Sequence, residues 1–196
     1  MKEFLNTWVL GYYYPYRFIE NLKDKPAPQW GLAAQILRGL LDAIALYLPL
    51  ALLGRQPSFP SWFTIIPTKY YYFGEIVIAP VFLICQWLLI CTSIHICLRL
   101  LRRQSDIDQI LNISGMTALV VGTFLIVWDW VFISIGVGDY IILGISHLLI
   151  DIWAIILTVI GFKNILNIPI KLGILLNIIW LILGLLLAMI FMRAPN

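Results

Sequence analysis

Charge is scarce in this sequence. Lys, Arg, Asp and Glu make up 12% of its 196 residues, about half the share in a soluble globular domain. The net charge is only +3, and no basic block is large enough to grip nucleic acid. Cysteine is scarce too. Cys85, Cys91 and Cys97 are spaced by six, and each step turns a helix by about 240°. They point three ways, which argues against a shared metal site and for small packing residues. The two histidines, His95 and His147, fall about 10 Å apart in depth by helix rise, which disfavours a bis-histidine haem. No Gly-rich loop leads to a lysine. None of this calls for a cofactor. The first thirty residues lack the apolar core and small-residue cleavage site of a secretory leader, so insertion is expected to use the first span.

Apolar residues are abundant, at 62% of the chain, and they fall in five long runs. The expected fold is all-α: a polytopic integral membrane protein built as a five-transmembrane-helix bundle. The spans are predicted at 31–54, 74–101, 112–135, 140–162 and 172–192, each long enough for a hydrocarbon core of about 30 Å. Pro49 and Gly54 are expected to close the first. Residues 55–73, rich in proline and aromatics, read as an interfacial loop. Ser105 or Asp106 is placed to cap the third span, with Gln109 at capping-box spacing from Asp106. Gly136–Asp139 reads as a tight turn. No internal repeat is evident.

Residues 1–30 form a separate unit from the membrane domain, 31–196. Phe4, Trp8, Tyr12, Tyr16 and Ile19 recur at helical spacing, and Pro15 interrupts them. One or two amphipathic helices at headgroup level are expected. The N-terminal tail holds four basic residues, the connection after the second span three, and that after the fourth two. Only Arg55, Lys69 and Arg193 lie on the other side. This bias places the protein in the cell membrane with its N-terminus cytoplasmic and its C-terminus outside.

The segment Pro15-Tyr16-Arg17-Phe18-Ile19-Glu20-Asn21-Leu22 has a P-x-x-F-x-x-L shape. Trp30 precedes the first span, Arg99-Leu100-Leu101-Arg102-Arg103 ends the second, and Trp153 with Ile160-Gly161-Phe162-Lys163 closes the fourth. In these features the chain resembles Ypt-interacting protein (Yip) domains over nearly its whole length, as a prokaryotic-type member. The resemblance implies a non-enzymatic protein that organises membrane lipids or binds protein partners, itself included. It implies GTPase partners for members with longer cytoplasmic segments; the short tail here argues against one. It supplies no catalytic residues.

Ionisable residues interrupt the apolar runs: Arg38, Asp42, Glu75, His95, Asp129, His147 and Asp151. A charge at mid-bilayer costs at least about 2.5–3.5 kcal/mol on insertion scales, so each must face protein or water. Arg38 with Asp42, and His147 with Asp151, are i,i+4 pairs. Depth counting puts Asp129 and His147 at about the same level, where they could meet across two helices. Three uses of these groups are open. They could be interhelical glue, or a proton or cation path of a small transporter or channel. Asp129, His147 and Asp151 could also hold a divalent metal in an intramembrane enzyme, with Glu75 in reach, although H-x-x-x-D is a weak pattern.

Overall fold

The computed structural model describes residues 1–58, 66–135 and 140–191. Every regular element among them is helical. α1 (Lys2–Tyr13) and α2 (Pro15–Lys23) form an N-terminal pair, and α3 (Gln29–Leu41) passes through a π-helical turn, Asp42–Tyr47, into α4 (Leu48–Leu52). A 3-10 turn, Thr68–Tyr70, opens α5 (Tyr71–Leu100). α6 (Ile107–Ile135), α7 (Tyr140–Leu166) and α8 (Ile170–Phe191) follow. Five stretches are long and apolar enough to cross a membrane: Gln29–Leu52, Thr68–Leu100, Ile107–Ile135, Ile141–Leu166 and Ile170–Ala188. The chain is an all-α membrane protein with a five-helix bundle. The tight turn expected at Gly136–Asp139 and residues 59–65 of the aromatic connection lie outside the described residues.

Local chemistry explains the boundaries. Asp106 Oδ1 accepts the backbone N–H groups of Asp108 and Gln109 at 3.0 and 3.2 Å, so α6 starts at Ile107. Gln109 does not return the capping-box bond; its Oε1 is buried without a hydrogen-bond partner among the described residues. α5 begins three residues ahead of the predicted span because Tyr71 and Tyr72 are buried beside Tyr47. Pro49 does not end the first span. It lies in the first turn of α4, just after the π-helical turn, which loosens the ladder where proline supplies no N–H. Gly54, at φ 67°, ends the span, using a conformation that glycine adopts without strain.

α3 and α6 run side by side in the same direction, and glycine lets their backbones touch. A Cβ on Gly31 would fall 2.3 Å from the Leu111 carbonyl oxygen, and one on Gly115 would fall 2.4 Å from the Gly31 oxygen. Farther along, Trp130 Nε1 donates to the Ala45 carbonyl at 2.7 Å. α5 runs antiparallel to α3, with Gly39 against Pro80 and Tyr47 stacked on Tyr72 at 6.2 Å. Trp128 Nε1 donates to Ser146 Oγ at 2.7 Å between α6 and α7. Thr158 and Asn177 hydrogen-bond between α7 and α8. Gln86 Nε2 donates to the Gly184 carbonyl at 3.1 Å, tying α5 to α8. The spanning helices pack in the cyclic order α3, α6, α7, α8, α5, and α5 also meets α6 directly, where Trp87 Nε1 donates to Ser114 Oγ at 2.9 Å. Outward residues such as Val77, Val127, Leu149 and Ile174 are exposed, an apolar surface suited to lipid.

The N-terminal pair is amphipathic, and its apolar side is buried. Phe18, Ile19 and Leu22 are fully covered in a cluster with Met116, Leu119, Val120 and Leu157. Lys25 bridges to Glu3 at 3.0 Å, and Phe4 meets Trp30 edge-on at 5.3 Å, pinning the open end of the pair near the start of α3. At its closed end Gly11 packs on Val120, and its carbonyl accepts from Trp153 Nε1 at 3.1 Å. Val120 and Trp153 lie about 20 Å along α6 and α7 from the ends nearest Trp30. The pair docks along the bundle as a hairpin rather than lying flat across one end.

Candidate functional site

The interior charges come from successive turns of facing helices. Arg38 Nε donates to Asp42 Oδ2 at 2.9 Å within the first span. Its guanidinium lies over Gly122 of α6, where a Cβ would fall 1.1 Å from Nη1. Glycine is what leaves room for the cation. Asp42 is 2% exposed, and its second oxygen, Oδ1, has no hydrogen-bond partner among the described residues. His147 Nε2 and Asp129 Oδ1 are hydrogen-bonded at 2.7 Å between α7 and α6.

Spacing alone offers Asp151 as the partner of His147, one helical turn away. The structure gives His147 to Asp129 instead. Asp151 feels the charge of both His147 and Arg38, yet it makes no hydrogen bond or ion pair among the described residues. Asp42 and Asp129 also lie within electrostatic reach of each other. Arg38, Asp42, Asp129, His147 and Asp151 therefore form one group drawn from three spans.

The other two sequence candidates lie elsewhere. Glu75 is 5% exposed, beside Tyr47 and Tyr72 in the aromatic cluster at the N-terminal end of α5. His95 Nδ1 hydrogen-bonds Ser105 Oγ at 2.8 Å, in the polar turn between α5 and α6. Among the described residues, no three His, Cys, Asp or Glu side chains converge to hold a metal ion. Asp129 and His147 meet, but Asp151 and Glu75 do not join them as ligands. The cysteines differ in setting: Cys91 is buried, with Sγ 2.9 Å from Ser114 Oγ, Cys97 is half-buried and Cys85 is exposed.

The charged group borders a partly open cavity of about 300 Å³ lined by residues of all five spanning helices. Arg38, His147 and Asp151 line one side, and Gln35 and Gln86 add amides. Trp87, Trp180 and several leucines supply apolar wall. Gln35 is 3% exposed, and its side chain makes no hydrogen bond among the described residues. Buried amides are almost always paired; this one faces the cavity. Gln35 and Gln86 are not legible as site residues in the sequence. They are uncharged, and their significance depends on the ring that brings α3, α5 and α8 around one space.

Fold and site together define the class: an all-α, multi-pass membrane protein with a polar-lined cavity inside a ring of five spanning helices. No family model, curated protein or solved structure matches the chain. The likeness to Yip domains rests on the sequence anchors alone.

Proposed function

We propose that this chain is a non-enzymatic, Yip-like protein of the cell membrane that binds a small amphiphilic molecule in its central cavity. Its N-terminus is cytoplasmic and its C-terminus outside. The observation that carries the proposal is the lining of the cavity. Gln35 and Asp151 border it with no hydrogen-bond partner among the described residues, and tryptophan and leucine side chains make up much of the remaining lining. Ligand sites combine a mostly apolar concave wall with a few placed polar groups, in volumes from roughly 300 Å³ upward. Arg38 and Asp42 satisfy each other within the first span, Asp129 and His147 tie α6 to α7, and the polar groups left over are available to a ligand. The excess of Lys and Arg on the N-terminal side supports the orientation.

Ala118 lines the cavity from α6, so Ala118→Trp fills it. Native mass spectrometry of protein released from nanodiscs is expected to retain one small amphiphile per wild-type chain and none per Ala118→Trp chain. A wild-type protein that takes up no small molecule, even when amphiphiles are supplied, contradicts the proposal.

Asp151, beside Arg38 and His147 at the cavity, favours a second reading as a small proton- or cation-coupled transporter. Flux into liposomes that is lost in Asp151→Asn supports it, and absence of flux under imposed pH and cation gradients counts against it.

A further inference from the structure

The charges around the cavity do not balance. Asp42 is ion-paired with Arg38, and Asp129 is hydrogen-bonded to His147. Asp151 remains, lining the cavity with no ion pair of its own among the described residues. Arg38 is the single guanidinium present, and it already lies between two carboxylates, bonded to Asp42 and within the field of Asp151. An anionic ligand would add a further negative charge to this group. A cation would complete it, and a buried carboxylate requires a positive partner or a proton.

The acceptors suit one kind of cation. Gln86 spends its N–H₂ on the Gly184 carbonyl, which leaves Oε1 as its acceptor. Gln35 offers a second carbonyl oxygen and Asp151 a carboxylate, all on the same cavity. A primary ammonium has three N–H donors. Trp87 and Trp180 present aromatic surface, which attracts cations. Leu83, Leu148 and Leu181 accept an alkyl chain. The volume, about 300 Å³, admits a short chain.

We propose that the cavity binds a small lipophilic primary amine as its ammonium ion, with the head at Asp151, Gln35 and Gln86 and the chain among the leucines. This assignment rests on the ligand-binding function proposed above and specifies its chemistry. Gln35 is the independent observation behind it: an amide fully inside the bundle, unpaired and turned to the same space as the unpaired carboxylate.

The test uses three probes of equal length: hexylammonium, hexanol and hexanoate. Each is titrated calorimetrically into the full chain in nanodiscs, with empty nanodiscs correcting for partition into lipid. Hexylammonium is expected to bind tightest and hexanoate weakest. Asp151→Asn should weaken hexylammonium by at least about tenfold, the smallest effect expected for losing a hydrogen bond between charged groups. Hexanol should change by less than about twofold, because it carries no charge to lose. Gln35→Leu should also weaken hexylammonium, and the probe ranking on the wild type holds even if a variant fails to fold. Equal binding of the three probes, tightest binding of hexanoate, or an Asp151→Asn protein that binds hexylammonium as the wild type does overturns the amine assignment. Each of these leaves the binding cavity standing. Failure of every probe to bind the wild type overturns both.

Discussion

Arg38 shows how one side chain can set an interior. It bonds Asp42 along its own helix and reaches across to Gly122. Removing one member of a buried pair leaves an uncompensated charge and costs about 3–5 kcal/mol, whereas replacing both with apolar groups is often neutral. Arg38→Met is therefore expected to destabilise the protein by about that amount, and Arg38→Met/Asp42→Leu to recover most of the loss, measured by unfolding in detergent. Equal losses in the single and double variants would contradict the pairing. At this scale the sequence was partly legible. The i,i+4 spacing gave Arg38 to Asp42, and depth counting brought Asp129 level with His147. Spacing could not decide between Asp129 and Asp151 as the partner of His147, because the choice turns on the rotation of α7 against α6. Gln35 was illegible, since an uncharged amide in a span carries no signal until its neighbours are known.

Among the elements, glycine governs the closest approaches, and the two kinds of neighbour it meets lead to different outcomes. Gly31 faces backbone, the Leu111 carbonyl and the Asn112 Cα, which has nowhere to go. Gly11 faces the methyl groups of Val120 and the edge of the Phe18 ring, which can turn. Gly31→Leu is expected to separate α3 from α6 and cost at least about 3 kcal/mol, the upper end of overpacking penalties. Gly11→Leu should loosen only the hairpin, exposing residues near Tyr14 to protease while the bundle unfolds at nearly the wild-type temperature. A bundle destabilised as much by Gly11→Leu as by Gly31→Leu would contradict this division. The five spans were legible because each apolar run is long enough to register without partners. Two features were not. The π-helical turn at Asp42–Tyr47 has no composition of its own. The docking of α1 and α2 depends on room provided by Gly11 on α1 and by Gly161 on α7: Gly161 lies beside Ile19 and Ile113, where a Cβ would fall 3.2 Å from the Ile19 side chain.

For the molecule as a whole, the ring order and the charge bias make linked claims. The turn carrying Arg102 and Arg103 lies at the same end of the bundle as the N-terminus, and Gly54 lies at the other. In intact cells, a membrane-impermeant thiol reagent should reach a cysteine placed at Gly54 and not one placed at Gln104, in a chain whose own three cysteines are replaced by alanine. The reverse pattern would invert the proposed orientation while leaving the fold unchanged. The cyclic packing also separates surfaces by chemistry. Outward faces are apolar and uniform, whereas the inner space combines Asp151, two amides and two tryptophans. That contrast gives the inner side a basis for selectivity.

That separation permits a direct test of the binding cavity. A short alkyl amine bearing a diazirine is photolysed with the protein in nanodiscs, and the labelled residues are mapped by peptide mass spectrometry. Labels are expected on cavity residues from all five spanning helices, among them Gln35, Trp87, Ala118, Leu148 and Leu181, and are expected to disappear in Ala118→Trp. Labels confined to outward residues such as Val77, Val127, Leu149 and Ile174, and unchanged in Ala118→Trp, would contradict a ligand-binding interior.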